Sequence, residues 1–420
     1  MPPVKAPSCE AYRQLLVDHV IAPWFPRSID REFGGFLSDF DRRWRAIGPN
    51  NKLLEFQARQ TLTAAELMLA FPSEPQLAEA VAAGFAWLRD VMWDREYGGW
   101  YWLVDRAGEP IAQETKHLHG VAYAIQACVA VFAATGNPAA LELAQRAFTW
   151  MDGHAHDSRN GGYFELLSRD GSVRTESVGT NLDHIGTPVG QKDMNVHSDL
   201  LETFTYFCAQ SEDEVVRQRL DELMQIILTH YAAANGHPWF FFRADWSPAS
   251  TYVRPSTAVQ TASRIIEARP FTSDHKILEE AAWRLVDYAF EHGWNAPRGA
   301  LVFGRFIDRE MTREELNDIH WWVQIEALKA LEYCDVIAPR YIRNGRLKSD
   351  VWNTLVDHFI DPKYGGLYQR SRSELRLLDR ILPTGRRNTT LQKGSIWKDA
   401  SHEGRALLRL MHLSAENMKA

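Results

Sequence analysis

Apolar positions recur every three or four residues through most of this chain, the spacing that lines one face of a helix. The periodic stretches come in consecutive pairs: Lys52–Ala70 with Gln76–Val91, Lys116–Ala134 with Ala139–Met151, Met194–Gln210 with Glu214–Tyr231, Thr257–Ala268 with Lys276–Glu291, and Ile319–Val336 with Gly345–Phe359. A last stretch, Trp397–His412, is left to close on an N-terminal helix near Cys9–Val20. The pattern predicts an all-α fold of twelve helices in six pairs.

Four short segments between these helices resemble one another: Asp30-Arg-Glu-Phe-Gly-Gly-Phe36, Asp94-Arg-Glu-Tyr-Gly-Gly-Trp100, Asp157-Ser-Arg-Asn-Gly-Gly-Tyr163 and Asp361-Pro-Lys-Tyr-Gly-Gly-Leu367. Each reads as a tight turn entering a short strand, with the glycine pair supplying positive φ. Asp94 follows Asp30 by 64 positions, Asp157 follows Asp94 by 63, and Asp361 follows Asp157 by 204, which is three intervals of 68. Two degenerate copies are therefore expected between, at Asn235-Gly236-His237 before Trp239–Phe242 and at Asn295–Gly299 before Leu301–Phe303. A fixed period of this length means that each unit buries its apolar face only against its neighbours. Six units predict a closed (α/α)6 barrel of helical hairpins with short β-hairpins in the connecting loops, one domain over residues 1–420. An open helical solenoid would need polar capping repeats, and the atypical first and last helices fit closure better.

In each unit the helix after the turn opens with polar and aromatic residues and becomes apolar later. These starts carry Arg59; Lys116, His117 and His119; Asn195 and His197; Thr257 and Gln260; His320, Trp321, Trp322, Gln324 and Glu326; and Trp397, Lys398 and His402. As the inner helices of a double ring they run the same way, so their first turns meet around one mouth, the place for a concave site. Any single one of these residues could be a satisfied polar group at a helix end. Convergence from six units favours a site. His197 shares a stripe with Leu201, Phe204 and Cys208, which points it at whatever the helix packs on. Glu326 sits in the apolar run Trp322–Leu331, where a carboxylate needs a partner. His402 is a base of suitable strength near neutral pH.

Composition narrows the chemistry. The 15 Trp, 13 Tyr and 20 Phe are enough to line a site that stacks on sugar rings. A net charge of −7, with no cluster of Lys and Arg, argues against nucleic acid as a partner. No run of 18 apolar residues and no apolar signal core after Met1-Pro2-Pro3-Val4-Lys5 predict a cytoplasmic protein without a membrane span. Cys9, Cys128, Cys208 and Cys334 lie far apart and read as buried free thiols. Neither His117-Leu-His119 nor His154-Ala-His156 has the three- or four-residue spacing that would pair ligands on one helix face, so no metal is expected. Glycine spacings for nucleotide binding are absent, and no cofactor is expected.

Over essentially its full length the chain resembles the N-acylglucosamine 2-epimerase superfamily, which includes cellobiose 2-epimerases and mannose isomerases. The likeness rests on the Asp-x-x-x-Gly-Gly-aromatic turns, on Met194-Asn195-Val196-His197 with Glu202, on Trp321-Trp322-Val323-Gln324-x-Glu326, and on Trp397-Lys398-x-x-x-His402-x-x-Arg405. The resemblance implies an (α/α)6 barrel in which an aldose is opened, loses its C2 proton, and is reprotonated from a cis-enediol. By position it assigns substrate orientation to Arg59, ring opening or enediol stabilisation to His197, and acid/base catalysis to His402. His119, Asn195, Thr257, Gln260, Trp322, Glu326 and Trp397 are expected to contact the sugar.

Departures from the family pattern bear on the reaction. Where the family's other acid/base histidine opens a Gly-His-x-x-Glu segment, this chain reads Pro255-Ser-Thr-Ala-Val-Gln260, and His119 stands where a tyrosine is common. Inversion at C2 needs proton transfer on both faces, whereas a single base suffices to move the proton from C2 to C1. The expectation is an aldose–ketose isomerase with C2 epimerisation as a lesser activity, acting on a small sugar as monomer or homodimer. Two other readings compete: a hydrolase or lyase using Glu326 with Asp183 or Glu202, and a non-catalytic sugar binder, suggested by Thr257 and Gln260.

Overall fold

In the computed structural model the described residues are 7–111, 114–176, 181–234, 236–337, 343–370 and 391–417. Six helices form the inner ring: α3 (Leu54–Ala70), α5 (Leu118–Thr135), α7 (Met194–Cys208), α9 (Pro255–Glu267), α12 (Trp321–Ile337) and α14 (Ser401–Asn417). Each contacts the next, and α14 returns to α3, so the ring closes and the open solenoid is excluded. Outside them lie α4 (Pro75–Trp87), α6 (Pro138–Ala155), α8 (Glu214–Ile226), α10 (His275–Gly293) and α13 (Arg343–His358), while α1 (Cys9–Leu16) covers α14. The N-terminal helix runs on past the expected end through a π-turn, Val17–Ile21, into α2 (Ala22–Ser28), and a short α11 (Arg313–Asn317) precedes α12. Trp397 falls outside the helix predicted for it, because α14 begins only at Ser401.

The inner helices carry apolar residues on several sides because they pack on both neighbours and on an outer helix. Among the described residues α5 alone is long and apolar enough to cross a membrane, yet 78% of it is buried in the barrel wall. The four cysteines form no disulfide; Cys128 and Cys334 are buried as expected, but Cys9 and Cys208 are half-buried.

The Gly-Gly turns are tight hairpins, bracketed by the bridges Ile29–Phe36, Trp93–Trp100, His156–Tyr163 and Ile360–Leu367. Both glycines of each pair have positive φ. The fifth copy is the hairpin β8 (Trp294–Asn295) with β9 (Ala300–Leu301), where Gly299 has φ 60°. Asn235 of the fourth copy lies outside the described residues; there Trp239 bridges Val253 instead.

Longer ladders stitch one unit to the next. β1 (Lys52–Leu53) pairs with β2 (Leu103–Val104), β3 (Thr115–His117) with β4 (Leu166–Ser168), β5 (Lys192–Asp193) with β6 (Phe241–Phe242), and β7 (Tyr252–Val253) with β10 (Arg305–Phe306), all antiparallel. A buried lysine clamps each turn aspartate: Lys52 on Asp30 at 3.1 Å, Lys116 on Asp94 at 3.0 Å, Lys192 on Asp157 at 2.8 Å and Lys393 on Asp361 at 3.0 Å. The repeating aspartate therefore marks a scaffold that fixes where each inner helix begins.

Candidate active site

Numbered from its first residue, the inner helix turns its second position to the barrel axis in every helix but α9, where Ser256 bonds the Phe303 carbonyl, and its sixth in every helix but α14, which has Ala406 there; the two positions are four residues and about one turn apart. The second positions hold Glu55, His119, Asn195, Trp322 and His402; the sixth hold Arg59, Tyr123, Asp199, Gln260 and Glu326. Most of these line a cavity of about 390 Å³ at the helix N-termini, together with His184, Ile185, Arg254, Phe303, Trp321 and Trp397. That volume is within the usual range of about 300–1,000 Å³ for small-molecule sites. A depression of about 460 Å³ opens at the opposite mouth, lined largely by apolar residues such as Leu69, Val129 and Leu408. Its Arg409 pairs with Glu66 and Glu267, and His119, Trp321, Trp322 and His402, from the first turns of inner helices, lie at the first cavity.

His402 is the best-placed base. Its Nδ1 lies 3.0 Å from Glu326 Oε1 and its Nε2 3.1 Å from an Arg59 amino nitrogen. A carboxylate accepts only and a guanidinium donates only, so Nδ1 carries the proton and the Nε2 lone pair accepts from Arg59 at the edge of the cavity. Burial alone would raise the Glu326 carboxyl, but Lys329 and His402 outweigh it and hold it down at about 2. Trp322 stacks on the imidazole with ring centroids 4.9 Å apart. Arg59 is steadied by Glu55 at 2.8 Å and by the ring of Tyr123. Trp397, 41% exposed, stands at the rim near Trp102.

His119 is held differently. Its ring nitrogens lie 2.8 Å from Glu55 and 2.8 Å from Asp199. Burial pushes the imidazole down, but the two carboxylates prevail and raise it to about 10. It is an imidazolium at neutral pH and has no lone pair to act as a base. Below it the buried ions continue down the axis, with Arg264 bonded to Asp199 and Glu202, and Arg405 bonded to Glu202 and Glu66.

Two expected contacts are not in the cavity. His197 is fully buried in the wall: its Nδ1–H donates to the Asp193 carbonyl at 2.7 Å, and its Nε2 accepts the Tyr163 N–H at 3.1 Å. Burial lowers this imidazole to about 3. The ring holds the third Gly-Gly turn in place, where a Cβ on Gly162, at φ +72°, would lie 3.0 Å from His197 Nε2 and 2.5 Å from Trp246. Gln57 and Gln324 occupy the same fourth position and likewise bond the main chain of Phe36 and Leu301. Three inner helices thus use their fourth position to hold the hairpin of their own unit. Thr257, at the third position of α9, is also fully buried and does not line the cavity; its hydroxyl has no hydrogen-bond partner among the described residues.

Glu55, Tyr123, Asp199, His184 and Arg254 were missed. The first three follow from the four-residue stripe through Arg59, His119 and Asn195. His184 and Arg254 sit outside the inner helices and leave no periodic signal. His184 stacks on Trp102, with centroids 5.0 Å apart, and its Nε2 lies 2.6 Å from Thr115 Oγ1. Burial, followed by the neighbouring His117, lowers it to about 4, so it is neutral.

Among the described residues His117, Glu165 and Asp183 have donor atoms close enough to share a cation. They are already committed to one another and to the main chain. His117 donates to Asp183 at 2.8 Å and accepts the His119 N–H at 3.2 Å. Glu165 accepts the Asp193 N–H, and burial raises its carboxyl well above the usual range. An imidazole hydrogen-bonded at both nitrogens and a carboxyl that burial disfavours in its charged form make a poor ligand set.

The chain matches the N-acylglucosamine 2-epimerase (GlcNAc 2-epimerase) family model over residues 34–388. It is 24% identical over 409 residues to a cellobiose 2-epimerase of Bacteroides fragilis, covering 94% of this chain and 96% of the relative. A Ruminococcus albus cellobiose 2-epimerase is 25% identical over 366 residues, covering 84% and 88%. In structure the chain resembles cellobiose 2-epimerase of Spirochaeta thermophila with a TM-score of 0.82 at 24% identity over 98% and 97% of the two chains. It also resembles a D-mannose isomerase with a TM-score of 0.78 at 19% identity over 96% and 97%.

Proposed function

The chain belongs to the N-acylglucosamine 2-epimerase family, and from that premise we propose a cofactor- and metal-independent aldose–ketose isomerase in which C2 epimerisation is the slower reaction. Its class, a sugar isomerase or epimerase, comes from the family and its relatives; neither the hydrolase or lyase reading nor the non-catalytic one is favoured. The observation that carries the finer reading is the line Glu326–His402–Arg59 at the edge of the cavity.

Glu326 fixes the tautomer of His402, as the orienting carboxylate of a catalytic triad does. With the sugar opened and the Arg59 N–H turned from Nε2 to the C1 oxygen, His402 Nε2 takes the C2 proton while solvent water protonates that oxygen, and the cis-enediol forms; the same solvent later takes the C2 hydroxyl proton. Arg59 stands where negative charge develops on the enediolate oxygen. Return of the proton to C1, as the C2 hydroxyl loses its own, gives the ketose on the same face. Epimerisation requires a donor on the other face. His119 is ion-paired at both ring nitrogens with carboxylates, His197 is in the wall, and Thr257 is behind the surface, which among the described cavity residues leaves His184, on a loop, as a neutral imidazole. Trp322 and Trp397 offer faces for the sugar ring. The whole chain, 1–420, would work as one barrel.

The test is incubation with a panel of aldoses in deuterium oxide, followed by proton NMR before and after dialysis against a strong chelator. The expected result is early ketose carrying deuterium at C1, unaffected by chelation. A C2 epimer appearing ahead of ketose would establish a second acid. Activity lost on chelation and restored by zinc or manganese would overturn metal independence.

A further inference from the structure

Two arginines line the cavity, and only one of them is neutralised. Arg59 has Glu55 at 2.8 Å and Asp399 at 3.7 Å. The deeper Arg264, Arg405 and Arg409 are likewise each bonded to carboxylates. Arg254, the residue preceding α9, has no carboxylate within ion-pair distance among the described residues, and its buried Nε has no hydrogen-bond partner. Its guanidinium carbon lies 3.8 Å from the ring centroid of Phe240 and 4.8 Å from that of Phe303, with Tyr252 at 5.8 Å.

Such rings stabilise a cation by roughly 0.5–2 kcal/mol, and beyond the neutral hydroxyl of Tyr252 they give its N–H donors nothing to bond. Asp193 feels the Arg254 charge, but its oxygens are occupied by the Thr187 hydroxyl and the Val196 N–H, and burial raises its carboxyl. Of the cationic groups in the cavity lining, Arg59 and His119 are paired with Glu55, Asp399 and Asp199, and Arg254 is left unpaired among the described residues. A half-buried guanidinium without a counterion is costly unless the ligand supplies one, and its planar fork matches the paired oxygens of an oxyanion.

We propose that Arg254 binds an anionic substituent of the sugar, a carboxylate, phosphate or sulfonate carried away from the carbonyl carbon, so that the preferred substrate is an acidic aldose. This rests on the sugar-isomerase reading and names its substrate class. Phe240 and Phe303 hold the guanidinium in place, and Asn195 and Gln260, on the same cavity, offer neutral hydrogen bonds to the remaining hydroxyls.

The experiment compares D-glucose, D-mannose, D-glucuronate and D-glucose 6-phosphate with wild type, Arg254→Gln and Arg254→Lys. Binding is read by calorimetry and turnover by deuterium incorporation. Acidic sugars should bind at least about tenfold more tightly than the neutral ones, in line with a charge-assisted bidentate contact. Arg254→Gln should erase that preference, mainly through KM, and Arg254→Lys should restore part of it. The carboxylate and phosphate arms separate the two oxyanion types. Neutral sugars bound as well as acidic ones, or an Arg254→Gln variant with the wild-type preference, would overturn the proposal. Binding with no deuterium exchange from any sugar would instead overturn the isomerase reading, since calorimetry does not depend on turnover.

Discussion

The wall around His197 and the mouth around His402 are built from the same element, the first turn of an inner helix, yet they hold a histidine in opposite ways. His197 has both nitrogens bonded to main chain and no exposed surface. His402 has both nitrogens bonded to side chains instead, Nδ1 to Glu326 and Nε2 accepting from Arg59 at the edge of the cavity. The difference is two positions along the helix. At the fourth residue a side chain turns back into the hairpin of its own unit; at the second it points to the axis. Residue type therefore says less about catalysis here than register does.

The comparison breaks most sharply under alanine. His402→Ala should lower kcat by about 10² or more, the scale of a general base, with little change in Tm. His197→Ala should keep kcat within about threefold yet destabilise by about 2–4 kcal/mol, because two buried main-chain groups lose their partner beside a new cavity. Steady-state kinetics paired with thermal unfolding checks both, and a His197→Ala enzyme that is inactive but fully stable would reverse the assignment.

Glu326→Gln sharpens the same contrast at smaller scale. The amide keeps the shape but can present its NH₂ to Nδ1, favouring the wrong tautomer, so kcat should fall about tenfold or more while KM moves little. An unaltered kcat would mean that His402 needs no orienting carboxylate.

The smallest expected effect concerns the scaffold alone. Burial would raise the carboxyls of Asp30, Asp94 and Asp157, but hydrogen bonds from Arg106, Arg169 and Lys192, with further lysine contacts, hold each down at about 2. A carboxyl lowered on folding stabilises above its unfolded value of about 3.8, and that stability is lost as pH falls through the folded value. Tm should therefore decline progressively from about pH 4 toward pH 2, and Asp94→Asn should flatten part of that decline. An identical pH dependence in wild type and variant would remove the clamp from the acid response.

Some of this was legible along the chain and some was not. Helical periodicity and the Asp-x-x-x-Gly-Gly turns specified six hairpins, because both signals are local: one is the face of a helix, the other a pair of positive φ angles. Closure could be argued from the end helices, and Arg59, Glu326 and His402 stood out as polar groups in apolar settings. The boundary at Trp397 and the placement of His197 and Thr257 required the structure, since one residue of register swings a side chain about 100° around the helix. His184 and Arg254 were silent in the sequence because loops bring them to the cavity. Above all, charge was decided by tertiary contacts. His119 is an imidazolium only because Glu55 and Asp199 arrive from two other helices, and Arg254 lacks a counterion only because no carboxylate among the described residues is brought within reach. An amino acid's identity is written locally; its protonation and its availability depend on neighbours that the fold assembles from distant positions.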